Sequence, residues 1–274
     1  MLRRWTAGVL LVLFAAAGGA AAGGGEVSAL NPDLLKIREH RLDNGLQLLM
    51  LEDHSAPVVS LQVWAHTGSR NERPGITGIS HMFEHMMFRG SKKYGPEEHN
   101  NIVKRYGGRL NAFTAEDMTV YFENIASDYL ELVVSLEAER DANLNITEET
   151  MEPERKVVAE ERRMRTDNSL FGSAFEQLLI NSYVAHPYLW PVVGWMSDIQ
   201  GWTVEDLREY YRIHYAPNNL TVIIVGDFDP DDAVAIVEKY YGAIPAQEPP
   251  EGVRTVEPPQ RGERRVKFYR PTQL

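Results

Sequence analysis

Two histidines four residues apart, with a glutamate just before the second, constrain this chain more than any other feature. They stand in His81-Met82-Phe83-Glu84-His85. On an α-helix at about 100° per residue, a four-residue step leaves two side chains roughly 40° apart on one face. His81 and His85 can then offer ring nitrogens to one metal ion, while Glu84 falls on the adjoining edge of that face. Two imidazoles do not complete such a site, because a third protein ligand is needed and the fourth position is kept for water. The fold must therefore carry a distant segment of chain onto this helix.

Composition narrows what that segment can supply. The 274 residues include no cysteine, so no disulfide or thiolate site exists, and His, Asp and Glu are the strong ligands left. A formal charge of −11 argues against a nucleic-acid partner. No uninterrupted apolar run reaches the 18 or so residues of a membrane span, so no integral span is expected. The first residues have a different character. Arg3 and Arg4 precede an apolar run over 6–17, and Ala20-Ala21-Ala22 fits a small-residue cleavage site. Residues 1–22 read as a signal peptide, which implies a secreted protein, periplasmic in a bacterium. An uncleaved anchor is the alternative, disfavoured because the apolar run is short.

Hydrophobic period and turn chemistry divide the remainder. Strands are expected over 37–42 and 46–52, flanking the turn Asp43-Asn44-Gly45, and over 58–66, 110–114, 119–125 and 220–225. Helices are expected over 79–88, from Pro96 to Gly107, over 127–143 with Ser127 as cap, from about Pro153 to Thr166, over 170–183, after a Thr203-to-Asp206 capping box, and over 231–241. Hairpins with mostly later helices imply an α+β fold, a mainly antiparallel sheet packed against helices. The domain organisation expected is a signal peptide (1–22), a catalytic domain (31–245), a Pro- and Gly-rich linker (246–264), and a new strand at 265–269 opening a truncated second domain (265–274).

Candidates for the third ligand are the six other histidines, among them His40, His54, His99, His186 and His214, and the carboxylates. Glu154 and Glu161 are seven residues apart, which returns them to within about 20° on one helical face. That spacing also fits a solvated charged helix with Glu–Arg pairs, since Arg155, Arg162, Arg163 and Arg165 are close by. Spacing alone leaves both readings open.

The order H-x-x-E-H inverts the commoner H-E-x-x-H and is the inverted-zincin signature. The stretch 78–91 around it resembles the active-site helix of the pitrilysin and insulinase-type zinc peptidases, the group that includes the mitochondrial processing peptidase. The resemblance continues through Gly108-Arg109-Leu110-Asn111-Ala112-Phe113-Thr114 and Glu154-Arg155-Lys156-Val157-Val158-Ala159-Glu160-Glu161. It returns at Tyr215-Ala216-Pro217-Asn218-Asn219-Leu220 and Val225-Gly226-Asp227. It implies one Zn²⁺ held by His81, His85 and Glu161, with Glu154 orienting a ligating histidine and Glu160 the nearest competing assignment. It further implies that Glu84 is the general base acting on a water held by the metal. Asn111, Ala112, Phe113 and Thr114 are expected to bind an extended peptide or unfolded protein substrate by strand addition. A second homologous domain or partner subunit is expected to close the site. Two rivals are a catalytically weak or silent subunit of the same family and the S-ribosylhomocysteine lyases. The lyases share H-x-x-E-H but use a cysteine ligand, which this chain lacks.

Overall fold

The computed structural model describes residues 36–270; the expected signal peptide lies outside them. Among the described residues, six strands form one sheet in the order β1-β2-β6-β3-β5-β4. The strands are β1 (Arg38–Arg41), β2 (Gln47–Glu52), β3 (Val58–Ala65), β4 (Arg109–Thr114), β5 (Thr119–Ala126) and β6 (Leu220–Gly226). Four of the five pairings are antiparallel and β6 runs parallel to β2, so the fold is α+β with a mainly antiparallel sheet, as expected.

Alternation sets which face of the sheet is covered. Met50, Ile224 and Leu61 lie in register across β2, β6 and β3, and all are buried beneath the helices. The continuous apolar run at 220–225 is legible once β6 is seen as an inner strand between β2 and β3. β4 is at one end of the sheet, paired to β5 on one side only.

The helices are α1 (Ile79–Met86), α2 (Glu98–Arg105), α3 (Leu130–Asn143), α4 (Glu148–Arg162), α5 (Leu170–Ser182), α6 (Met196–Gly201), α7 (Val204–His214) and α8 (Pro230–Tyr241). Among the described residues, none is long and apolar enough to cross a membrane. The capping box at Thr203 and Asp206 starts α7 as read from the sequence. Ser127, expected as a cap for α3, instead donates its hydroxyl to Asp227 Oδ2 at 3.0 Å, and a 3-10 turn over Ser127–Tyr129 leads into the helix. The strand expected at 265–269 does not form; that stretch has no ladder partner among the described residues, and an unpaired strand leaves its N–H and C=O groups unsatisfied.

α1 is amphipathic in a way that fixes its roll. Met82, Phe83 and Met86 are buried, and Phe83 stacks within 5.6 Å of the Tyr210 ring and 5.1 Å of the Tyr215 ring. Burying a Phe and two Met side chains contributes roughly 1.5–3 kcal/mol each. With that face held, His81, Glu84 and His85 must point the other way, towards α4 and β4.

The start of α1 is fixed as tightly. Gly78 has φ +84°, and a Cβ there would lie 2.4 Å from the Val193 carbonyl oxygen. Glu72 accepts hydrogen bonds from Gly78 N (2.7 Å) and Ser80 N (2.8 Å), satisfying amides that the helix itself leaves free.

Candidate metal and active site

α4 supplies what the histidine pair lacks. Capped by Thr147, it passes beneath α1 and places Glu154 and Glu161 one above the other. Glu161 Oε2 lies 3.3 Å from His85 Nε2 and 3.7 Å from His81 Nε2. Zinc bonds of about 2.0–2.1 Å in a tetrahedron separate neighbouring donor atoms by roughly 3.3 Å. The three residues offer donor atoms that all lie within 4.8 Å of one another. Two imidazoles and a carboxylate in that space fit a zinc ion, while Glu160 is on the exposed side, paired with Arg163.

Electrostatics separate the two imidazoles. Burial, reinforced by neighbouring His85, holds His81 neutral with its pKa near 4, and a neutral ring keeps the lone pair a metal needs. Burial also opposes charge on His85, but its contacts with Glu154 and Glu161 outweigh that and raise it to about 9 without a metal. Glu154 Oε2 faces His85 Nδ1 at 3.3 Å, and Arg89 Nε is 2.7 Å from the other Glu154 oxygen. A proton held on Nδ1 towards Glu154 leaves Nε2 free on the Glu161 side. Arg165, one of the arginines named from the sequence as a possible glutamate partner, reaches Glu161 Oε1 at 2.5 Å.

Glu84 is half-buried beside this cluster, and burial raises its pKa. Thr114 opposes that rise by donating to Glu84 Oε2 at 2.7 Å. Both groups line a cleft of about 540 Å³ whose floor includes His81 and Glu161. One side is β4, with Asn111 and Phe113 exposed and Ala112 buried. The opposite side is apolar, formed by Phe175 and Leu179 of α5 and by Val193. Sequence reading missed this wall, although the sequence of α5, Leu-Phe-Gly-Ser-Ala-Phe, is unusually apolar for a helix that buries so little.

The other histidines lie elsewhere. His40 meets Glu238, His54 sits between Glu52 and Asp227, and His214 bonds the Thr67 hydroxyl. His186 accepts the Tyr188 amide. His99, Glu123 and Glu137 form a second close group in the core, but there Arg140 donates to both Glu137 oxygens at 2.8 and 2.6 Å. The cation in that group is an arginine.

The chain belongs to the insulinase family, peptidase family M16. The model described as insulinase (peptidase family M16) matches residues 47–190, and the model described as the M16 inactive domain matches residues 201–273. It is 39% identical over 204 residues to the zinc protease PqqE of Helicobacter pylori, covering 74% of this chain and 46% of that one. It is 28% identical to the uncharacterized zinc protease YmxG of Bacillus subtilis, covering 77% and 51%. The crystal structure of a protease from Helicobacter pylori superposes with a TM-score of 0.80 at 37% identity, over 81% of this chain and 54% of that one. The periplasmic protease PqqL of Escherichia coli gives 0.74 at 27% identity, over 82% and 25%. The chain spans about half the length of the curated relatives it matches.

Proposed function

We propose that this chain is a zinc-dependent endopeptidase, with one Zn²⁺ held by His81, His85 and Glu161. The observation that carries the reading is the meeting of Glu161 with both histidine Nε2 atoms, at 3.3 and 3.7 Å, in a cleft that also holds Glu84. When bound, zinc supplies Lewis acidity, which polarises a carbonyl oxygen and acidifies water. Glu84, with its pKa raised by burial, accepts a proton from the attacking water and delivers it to the departing amine nitrogen. Thr114 holds one Glu84 oxygen, so the other is left to face the reacting atoms. Glu154 keeps His85 in the tautomer that points Nε2 at the ion.

The substrate is an extended peptide or an unfolded protein segment. It lies along β4, whose outer edge is unpaired among the described residues and can take a further strand. Residues 31–245 constitute the catalytic domain, 246–264 a linker and 265–274 the beginning of a further domain, with 1–22 a cleaved signal and the periplasm the working compartment. Because the chain spans about half of its relatives, a second homologous domain or a partner subunit closes the cleft, and without it turnover is slow.

Metal analysis of the purified chain tests this assignment. About one zinc per chain is expected in the wild type and in Glu160→Gln, and well under half of that in Glu161→Gln after dialysis. Equal zinc in Glu161→Gln and wild type overturns the ligand set. A chain that binds zinc and cuts no peptide, even beside its partner half, supports the alternative of a silent subunit.

A further inference from the structure

α5 forms the apolar wall of the cleft, yet it is weakly held by burial. Of the 13 residues over Leu170–Ser182, Ser173 is the buried one, while Phe171 is 87% exposed and Phe175 and Leu178 are each 58% exposed. An isolated helix of this length is marginal in water, and most helical stability in proteins comes from an apolar face packed against a core. Something other than hydrophobic burial must fix it.

Part of the hold comes from the end of α4 and the helical turn Arg163–Asp167 that follows it. A Cβ at Gly172 would lie 1.8 Å from the Arg165 carbonyl oxygen, so the backbones approach closely at the N-terminal turn. Arg162 Nη2 reaches Glu176 Oε2 at 2.8 Å. The far end of α5 is held by a different part of the chain. The Glu257 carboxylate accepts three consecutive amides, Val184 N (2.9 Å), Ala185 N (3.0 Å) and His186 N (2.9 Å). Such a run of convergent N–H groups is an anion nest, and here a side chain of the same polypeptide fills it. Arg264 Nη1 donates to the carbonyls of Asn181 (2.7 Å) and Ser182 (3.0 Å), two groups the helix end leaves without partners. Arg270 then donates to the Asp167 carbonyl, back at the N-terminal end of α5.

We infer that residues 257–270 act as a strap that holds α5 in place as the cleft wall, with Glu257 and Arg264 as its positioning residues. The strap touches neither His81, His85 nor Glu84 through any of these contacts, so its effect falls on the fit of substrate side chains against Phe175 and Leu179. The kinetic consequence rests on the peptidase reading; the mechanical one does not.

The test uses the zinc-loaded chain with the pair Glu257→Ala and Arg264→Ala, and the conservative pair Glu257→Gln and Arg264→Lys. Hydrogen exchange of amides in 170–186 is expected to speed up about tenfold in the alanine pair and to recover in part in the conservative pair, with α1 exchange and zinc content unchanged. For an extended peptide, KM is expected to rise about threefold to tenfold with kcat within twofold. Unchanged exchange over 170–186 overturns the strap. Faster exchange with an unchanged KM overturns the positioning role. If neither the wild type nor any variant cleaves a peptide, even beside the partner half, the peptidase reading fails, and exchange still decides whether the strap holds α5.

Discussion

Thr114 Oγ1 donates to Glu84 Oε2 at 2.7 Å, tying the carboxylate of α1 to the last residue of the edge strand. The bond joins the expected substrate-binding strand to the expected base. On the proposed function, this bond would tie the position of a peptide added to β4 to that of the Glu84 carboxylate.

Thr114→Val keeps the shape of the side chain and removes the donor. A hydrogen bond to a charged group contributes about 1.5–3 kcal/mol when lost. A fall in kcat/KM of roughly tenfold to a hundredfold is expected, carried mainly by kcat, with zinc content as in the wild type. Steady-state kinetics on a quenched fluorescent peptide measures it, and an unchanged kcat refutes the coupling.

Glu154 meets His85 through the nitrogen that does not face Glu161. Removing a partner of this kind weakens metal affinity by roughly tenfold to a hundredfold. Glu154→Gln is expected to show that loss in competition with a chelator, smaller than the loss in Glu161→Gln. The reverse order would exchange the roles of the two glutamates.

Phe83 carries the opposite face of α1, and its removal acts on stability before chemistry. Phe83→Ala is expected to cost about 3–5 kcal/mol, since the cavity is walled by the rings of Tyr210, Tyr211 and Tyr215 and cannot easily collapse. Urea unfolding followed by circular dichroism checks this. A loss under about 1 kcal/mol would mean that α1 is not anchored by that stack.

Glu72 gives a pH signature of its own at the start of α1. Burial is the leading influence on it and pushes its pKa up to about 8, against the amides of Ser80 and Gly78 that favour the charged form. From about pH 4.5 to 8 the folded state keeps this proton while the unfolded state has released it. Its contribution to stability is thus complete below about pH 4.5 and lost as pH rises through 8, at up to ~1.4 kcal/mol per pH unit. Unfolding midpoints of wild type and Glu72→Gln, compared between pH 5.5 and 8.5, isolate it. The wild type is expected to lose stability relative to the variant as pH rises; parallel curves exclude the shift.

Periodicity carried most of the fold. The hairpin at Asp43-Asn44-Gly45 was legible from its turn residues, and the strands at 110–114 and 220–225 because alternation and apolar runs record burial directly; the edge position of the former came from resemblance. Ser127 was misread because a helix cap and a tertiary hydrogen bond ask the same of a serine, and only Asp227, 100 residues on, distinguishes them. The strand at 265–269 was misread because β-propensity records what a segment can do with a partner, not whether one is present. At the site, the face shared by His81 and His85 follows from helical geometry alone. The choice of Glu161 over Glu160 came from resemblance; in the structure Glu161 turns inward to both histidines, while Glu160, about 100° round the helix, is exposed beside Arg163. The apolar wall of α5 and the pairing of Thr114 with Glu84 depend on side chains meeting across the cleft, and no local pattern records that.

The central assignment is tested most directly by peptide cleavage in Glu84→Gln, with zinc measured on the same preparation. About one zinc per chain is expected, as in the wild type, together with a loss of at least about a hundredfold in kcat/KM. Cleavage by Glu84→Gln at the wild-type rate with zinc retained would contradict it.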